Sequence, residues 1–352
     1  MSNNSVVKRT DYFDYLRLIA TCMVLSVHVT GQGWYKVSVY SFDWNVLNFF
    51  NSFGRCSVAI FVMISGALFL EGNHGIEKIL KKYVLRLMAA YVFWSIGYAV
   101  VNGLMKGFDL RVLLNEIIVG PYHMWYILMI SGVYLLIPFF KKITESEELM
   151  KYFMILGAAF GIVIPHVVEL LSVFIPVLGT VATKLLDDMD FNFTLGYVVF
   201  FIAGYYINKY EISKKSQRVI YILGVLGFAG TVGLSAGISM LLGEPREEFY
   251  TCNCINVSLT GVALFTFGKY YLNNIRIGEK GKKIVRILSK YSFGAYLVHV
   301  MVIEILANVV GLEIIATAPI WGVPVVSAVV IGVSFILSAI INRIPVLNKY
   351  IV

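Results

Sequence analysis

The sequence predicts an all-α, polytopic membrane protein with about ten transmembrane helices and cytoplasmic N and C termini. Its 352 residues are 59% hydrophobic and 14% charged, whereas a soluble globular domain is typically about a quarter charged. Many apolar runs approach the roughly 17–25 residues that a membrane-spanning helix needs. The Lys and Arg residues are concentrated in alternate connecting segments, which is typical of a chain that crosses a membrane repeatedly.

The apolar runs define ten predicted spans. With these boundaries, 22 of the 29 Lys and Arg residues fall on the side of the N terminus and 6 on the opposite side. By the positive-inside rule, this asymmetry places both termini in the cytoplasm. The predicted spans are roughly 12–33, 54–71, 84–104, 123–140, 151–173, 192–209, 217–242, 253–272, 290–310 and 320–342.

The net charge of +8 is therefore interpreted as a signal of membrane orientation, and nucleic acid is not an expected partner. We predict a multi-pass protein of the cell membrane, in a bacterial plasma membrane, in contact with the lipid bilayer. Without an internal repeat or a soluble appendage, residues 1–352 are expected to form a single membrane domain. The four cysteines have no zinc-ligand spacing, so no metal site is expected.

The first span carries two ionisable residues on one face. Arg17 and His28 are eleven residues apart, almost three helical turns, which is about 16 Å along the axis. Ionisable groups inside a span are costly and usually functional. A neutral imidazole can take a proton from a hydroxyl. Arg17 keeps its charge and requires an anion, either Asp14 one turn earlier or a ligand phosphate. His28, Arg17 and Asp14 are therefore the predicted catalytic group.

Later spans carry weaker signals. Ser65 and Gly66 in the second span belong to a small-residue patch suited to close helix packing. His123 and Trp125 open the fourth span, either as part of an aromatic belt or as part of a binding surface. His299 lies in the middle of the ninth span, where a packed structural residue and a functional one are equally consistent with the pattern.

Two cytoplasmic segments, 78–86 and 280–290, are basic and predicted to be helical. They are expected either to contact lipid headgroups or to bind a phosphorylated cytosolic donor. For the second interpretation, the candidate donor-binding residues are Arg86, Lys82, Lys283 and Arg286.

In their order along the chain, these features resemble the acyltransferase-3 family of integral membrane O-acyltransferases in its stand-alone form. The sequence departs from the family pattern at Val62, where a second Phe is common, and after Arg86, where a Pro is frequent. The resemblance rests on Asp14 with Arg17, ten residues and His28; on Arg55 and the segment from Phe61 to Gly66; on Arg86; on His123-Met-Trp125; and on Tyr296 to His299.

The resemblance implies transfer of an acyl group, usually acetyl, from cytosolic acyl-CoA to a hydroxyl of an extracytoplasmic glycan or lipid-linked saccharide. Acetyl-CoA is then the expected donor substrate, and succinyl transfer also occurs in this family. His28 would act as general base or form a covalent acyl-His intermediate. The candidate substrate-binding residues are Tyr122, His123, Trp125, Arg55, Ser65, Tyr296 and His299.

Two other functions are compatible with the sequence. A small-molecule transporter of the same fold, for example for amino acids, also fits intramembrane His and Arg residues. A non-catalytic component of a glycan pathway is the second alternative. The acceptor, the acyl chain and a possible homo-oligomer are left open by the sequence.

Overall fold

The computed structural model describes residues 11–72, 74–189, 196–275, 277–312, 314 and 318–351, and the regular structure within them is helical throughout. This confirms the predicted all-α class. In that part of the chain, eight helical segments are long and apolar enough to cross a membrane. The predicted spans 192–209 and 253–272 contain helices of 14 and 16 residues, shorter than the roughly 17–25 residues of a full crossing. The start of the first of these spans lies outside the described residues.

The helices are numbered here in chain order. Three of the long ones contain a π-helical turn: Ile79–Val84 in α4, Ala159–Val163 in α8 and Leu306–Val310 in α13. The bounds are α1 (Asp11–Trp34), α2 (Phe42–Gly54), α3 (Ser57–Glu71), α4 (Ile76–Lys106), α5 (Leu110–Val119), α6 (Trp125–Leu135), α7 (Ile137–Ile143), α8 (Glu147–Phe174), α9 (Pro176–Met189), α10 (Gly196–Lys209), α11 (Lys214–Leu242), α12 (Ile255–Tyr270), α13 (Glu279–Val310), α14 (Pro319–Ile341) and α15 (Pro345–Tyr350).

Side-chain caps define the start of several helices. Ser41 accepts a hydrogen bond from the backbone N–H of Trp44 and begins α2. Asp109 and Ser213 cap α5 and α11 in the same way. Each of these caps satisfies a backbone donor that has no partner inside its own helix, so the local sequence fixes where these helices begin.

Helix α1 lies between the two halves of the core. It packs against α2, α3, α12, α13 and α14. Its N-terminal half, with Leu16 and Ala20, joins a buried cluster formed mainly with α3, α10 and α12. Its C-terminal half, with Val24 and Val29, joins a second cluster formed mainly with α13 and α14. The polar face predicted for the first span therefore lies at the centre of the helical bundle.

Helices α3 and α10 approach each other at backbone distance. A Cβ atom on Gly66 would lie 1.7 Å from the backbone oxygen of Phe201, and one on Gly204 would lie 2.1 Å from that of Met63. Small residues allow this kind of close packing between helices in membranes. The prediction that the patch around Gly66 supports close packing is confirmed.

We predict that Gly66→Ala destabilises the protein, because the added methyl group meets a backbone atom that cannot rotate away. Overpacking of this kind costs about 1–3 kcal/mol. Thermal unfolding of the purified protein in detergent measures the effect. The matched control is Gly97→Ala in α4, where an added Cβ atom meets nothing within 4 Å. Equal unfolding temperatures for the two variants would contradict the packing assignment.

Candidate functional site

A cavity of about 460 Å³ lies along the polar face of α1. Arg17 and His28 both line it, about 16 Å apart along the straight helix that carries them. The remaining walls come from α3 and its junction with α2, from α6 and α13, from the loop before α12, and from single residues of α4 and α10. Most of these walls are apolar or aromatic, so charged groups in the cavity are poorly screened. The polar and aromatic lining residues outside α1 include Arg55, Ser65, His123, Trp125, Tyr126, Tyr134, Tyr197, Tyr250, Ser292 and Tyr296.

Three histidines from distant parts of the chain converge at one place. The ring of His28 lies 4.9 Å from that of His299 and 6.2 Å from that of His123, and the His123 and His299 rings are 5.0 Å apart. His123 and His299 are 1% and 0% exposed, and His28 and His123 both line the cavity. The structure thus brings together the predicted catalytic histidine and two of the predicted substrate-binding residues.

Hydrogen bonds orient this cluster. The Tyr122 hydroxyl lies 3.3 Å from Nδ1 of His28. Nδ1 of His299 faces the backbone oxygen of Tyr296, so this nitrogen carries the proton and Nε2 does not. The Tyr296 hydroxyl donates to the backbone oxygen of His123 at 2.7 Å, which joins α13 to the start of α6. Within the described residues, no group of three or more His, Cys, Asp or Glu side chains is arranged to hold a metal ion.

At the other end of the cavity, Arg17 is held by a polar network. Its Nη1 atom lies 3.5 Å from Oδ1 of Asp14 and donates to Oγ of Ser289 at 3.0 Å. Ser289 in turn donates to Asp14 at 2.7 Å. Asp14 is 3% exposed, whereas the side chain of Arg17 is 30% exposed, so the carboxylate is shielded and the guanidinium is open to the cavities. The predicted pairing of Arg17 with Asp14 is confirmed, and Ser289 is a third member that the sequence analysis did not identify.

Arg17 also lines a second cavity at the start of α13, together with Lys283, Arg286 and Lys290. Arg286 forms an ion pair with Asp11 at 2.9 Å, whereas Lys283 and Lys290 are exposed. Two of the four predicted donor-binding residues, Lys283 and Arg286, are therefore adjacent to Arg17. This cluster of cations around an open cavity is suited to binding phosphate groups.

The other two predicted donor-binding residues lie elsewhere. Arg86 donates to the backbone oxygen of Asn348 in α15 at 3.4 Å. Lys82 is exposed, and its Nζ atom lies 5.9 Å from the centre of the Tyr83 ring. Both are absent from the walls of the two cavities that contain Arg17. Their proposed role in donor binding stays a prediction and has no support from a shared cavity.

Aromatic and polar side chains line the remaining walls of the first cavity. The guanidinium of Arg55 lies 4.2 Å above the ring of Tyr250. The Tyr134 hydroxyl donates to Oγ of Ser65 at 3.3 Å. The Trp125 ring lies 5.7 Å from that of Tyr197. This combination of aromatic faces and hydroxyl groups can bind a polar ligand with apolar ring faces, such as a sugar.

Several wall residues were missed by the sequence analysis. Tyr126 and Tyr134 lie on the cavity face of α6, and Tyr250 precedes α12. Two tyrosines within an apolar span were a usable signal for α6, because their hydroxyl groups require polar partners. Tyr250 had no such signal, since it follows an acidic loop. In that loop, the hydrogen bonds that Arg246 donates to Glu248 and Glu244 raise the pKa of Arg246.

Comparison with known proteins adds one finding. Residues 10–339 match the acyltransferase-3 family model, which is described as an acyltransferase domain. Neither the curated proteins nor the solved structures contain a match. The family match covers nearly the whole chain, including both cavities, and gives no support to the transporter alternative.

We predict that Asp14→Ala lowers stability, because it leaves the charge of Arg17 without its nearby carboxylate. Removing one partner of a fully buried ion pair costs about 3–5 kcal/mol, and a smaller loss is expected here because the Arg17 side chain is 30% exposed. Asp14→Asn should cost less still, because the amide can accept a hydrogen bond from Ser289. Thermal unfolding in detergent measures both variants. Glu77→Ala is the control, since it breaks an exposed pair with Lys81 and should change little. An Asp14→Ala variant as stable as this control would contradict the assignment.

Proposed function

This chain belongs to the acyltransferase-3 family, and from that premise we propose that it moves an acetyl group from cytosolic acetyl-CoA to a hydroxyl of an extracytoplasmic glycan or lipid-linked saccharide. The membrane acyltransferase activity follows from the family. The donor, the acetyl group, the acceptor and the residue roles given below are our proposal.

The position of Arg17 is the observation that carries the proposal. It lines both the basic cavity at the start of α13 and the cavity that leads to His28. In our assignment, the phosphates of CoA bind near Lys283 and Arg286 on the cytoplasmic side. The extended pantetheine arm is roughly 15–20 Å long, similar to the rise of about 16 Å from Arg17 to His28. A thioester bound in this way would end beside the histidine cluster.

His28 is proposed to act as the general base. If Nδ1 of His28 donates its proton to the Tyr122 oxygen, Nε2 has a free lone pair for the acceptor hydroxyl. The acceptor oxygen then forms a bond to the thioester carbon, and its proton passes to His28. The carbon–sulfur bond breaks, and the CoA thiolate leaves and takes up the proton. Tyr122 orients the base in this scheme, as the third member of a catalytic triad does.

The acceptor is assigned to the aromatic walls of the cavity. Trp125, Tyr250 and Tyr296 can pack against sugar rings, while Ser65 offers a hydroxyl group. With the termini in the cytoplasm, as the positive-inside rule predicts, the part of the cavity with Trp125 and Tyr250 lies toward the extracytoplasmic side, and Ser65, in the second half of α3, lies nearer the cytoplasmic side. Donor and acceptor would then reach His28 from opposite sides of the membrane.

We predict that His28→Ala lowers the transfer rate by about a hundredfold or more, the usual contribution of a general base. The assay uses acetyl-CoA labelled in the acetyl group, protein reconstituted in vesicles, and membranes of the source cells as the acceptor. His28→Gln tests whether a polar side chain of similar size restores activity, and no rescue is expected. Transfer at the wild-type rate by either variant would remove His28 from the mechanism.

We predict that Lys283→Gln raises the KM for acetyl-CoA about fivefold with little change in kcat, because it removes one charge that faces the donor phosphates. The effect should shrink at high salt. The matched control is Lys215→Gln, an exposed lysine of α11 outside the basic cavity. If both variants have the same KM, the donor phosphates do not bind in the cavity at the start of α13.

A further inference from the structure

We infer that a substrate of this protein carries a negative charge close to the reacting group, and that Arg55 binds this charge as a carboxylate or a phosphate. The inference deepens the proposed function and rests on it for the identity of the substrate. The binding of an anion at Arg55 is argued from the structure independently.

The backbone at Arg55 is fixed close to His28. Gly54, the last residue of α2, touches α1 so closely that a Cβ atom would lie 2.6 Å from the backbone oxygen of Met23 and 2.3 Å from a methyl group of Val27. Val27 is the residue before His28. Arg55 and His28 line the same cavity and Gly54 packs on the turn of α1 that precedes His28, so an anion bound by Arg55 lies in the part of the cavity that contains His28.

The Arg55 side chain is held in an orientation suited to binding. Its Nε atom donates to Oδ1 of Asn51 at 2.8 Å, and the guanidinium stacks on the ring of Tyr250 at 4.2 Å. These two contacts fix the plane of the group and use one of its five N–H donors. The donors on the two Nη atoms are then available for the paired hydrogen bonds that a carboxylate or phosphate accepts from arginine.

The charge of Arg55 has no carboxylate partner within ion-pair distance among the described residues. Glu247 acts on Arg55 only from beyond ion-pair distance and accepts a hydrogen bond from Tyr35, while Glu248 is paired with Arg246. Arg17, at the other end of the cavity, has Asp14. A guanidinium cannot lose its proton, and an unpaired charge in an apolar environment is unfavourable. A substrate anion would supply the missing charge.

Two sources of the anion are chemically equivalent at this position. The acceptor can carry it, as in a saccharide with a uronic acid or a phosphate. The acyl group can carry it, as in a succinyl thioester, whose free carboxylate would extend past His28. The experiment therefore uses one pair of probes for each source, and the members of each pair differ in charge.

Binding is measured without catalysis, on purified protein in lipid nanodiscs, by the shift in thermal unfolding over a titration of each probe. The first pair is octyl glucoside and octyl glucuronide. The second pair is acetyl-CoA and succinyl-CoA. The variants are Arg55→Gln, Arg55→Lys and the control Arg111→Gln, which removes an exposed arginine of α5 outside the cavity.

For wild type and Arg111→Gln, we expect the anionic member of at least one pair to bind about tenfold more tightly than its neutral or less charged partner, the size of a charge-assisted hydrogen-bond pair. Arg55→Gln should lose this preference and still bind the other member. Arg55→Lys, which keeps the charge without the planar fork, should retain part of it. A preference in the first pair assigns the anion to the acceptor, and one in the second pair assigns it to the acyl group.

The inference is overturned if neither pair shows a preference, or if Arg55→Gln keeps the wild-type preference. If Arg55→Gln does not fold, Arg55→Lys is tested with the same probes. A tenfold preference for the anionic probe that is unchanged in Arg55→Lys would also overturn the inference. Since no acyl transfer is needed, these results stand apart from the assay of His28. The binding experiment can therefore succeed while the acyl-transfer assay fails, or fail while the assay succeeds, and the two outcomes are distinguishable.

Discussion

The permanent charge of Arg17 inside the first helix is the constraint on which the rest of the site depends. A guanidinium at this depth must have a partner, and Asp14 provides one from a position one turn earlier. Ser289 bonds to both side chains and so joins α13 to α1. Because Ser289 lies in the basic start of α13, the same contact places Lys283 and Arg286 around the entrance next to Arg17. The contacts of Arg17 and Asp14 with Ser289 thus help to hold α13 beside α1 and place the surface cations of α13 near Arg17.

The helix packing around α1 makes the cavity compatible with a stable bundle. The backbones of α3 and α10 touch at Gly66 and Gly204, and the aromatic residues Phe200 and Phe201 fill the cluster beside them. Membrane helices associate largely through packing of this kind, since lipid is as apolar as the helix surface. Dense packing on this side of α3 leaves its other face, with Phe61 and Ser65, to line the cavity.

The sequence predicted the features that depend on helical periodicity. The alignment of Arg17 with His28, the pairing with Asp14 and the role of the small patch at Gly66 follow from spacing within one helix. The convergence of His123 and His299 on His28 depends on which helices are neighbours, and no local pattern encodes that. The two basic segments illustrate the same difference. They have similar composition, but Lys283 is placed beside Arg17 whereas Lys82 is not, because Ser289 joins α13 to α1. The predicted span 253–272 is longer than the helix it contains, Ile255–Tyr270, because hydropathy does not mark the residues at which a helix begins and ends.

The two arginines of the cavity differ in a way that bears on how two substrates can share it. Arg17 has its charge balanced within the protein by Asp14, so a donor phosphate that binds nearby adds to an existing network and can leave without exposing an unpaired cation. Arg55 has no carboxylate within ion-pair distance among the described residues, and in our proposal a ligand anion supplies one. In the proposed reaction, Arg17 is therefore paired before the donor arrives, while Arg55 gains a carboxylate or phosphate partner only when the anionic substrate is bound. This difference between Arg17 and Arg55 favours the arrangement with both substrates beside His28 when the anionic substrate is present. Only an interaction that is stronger in the transition state than in the bound ground state accelerates the reaction, and an ion pair formed beside the reacting atoms can be of this kind.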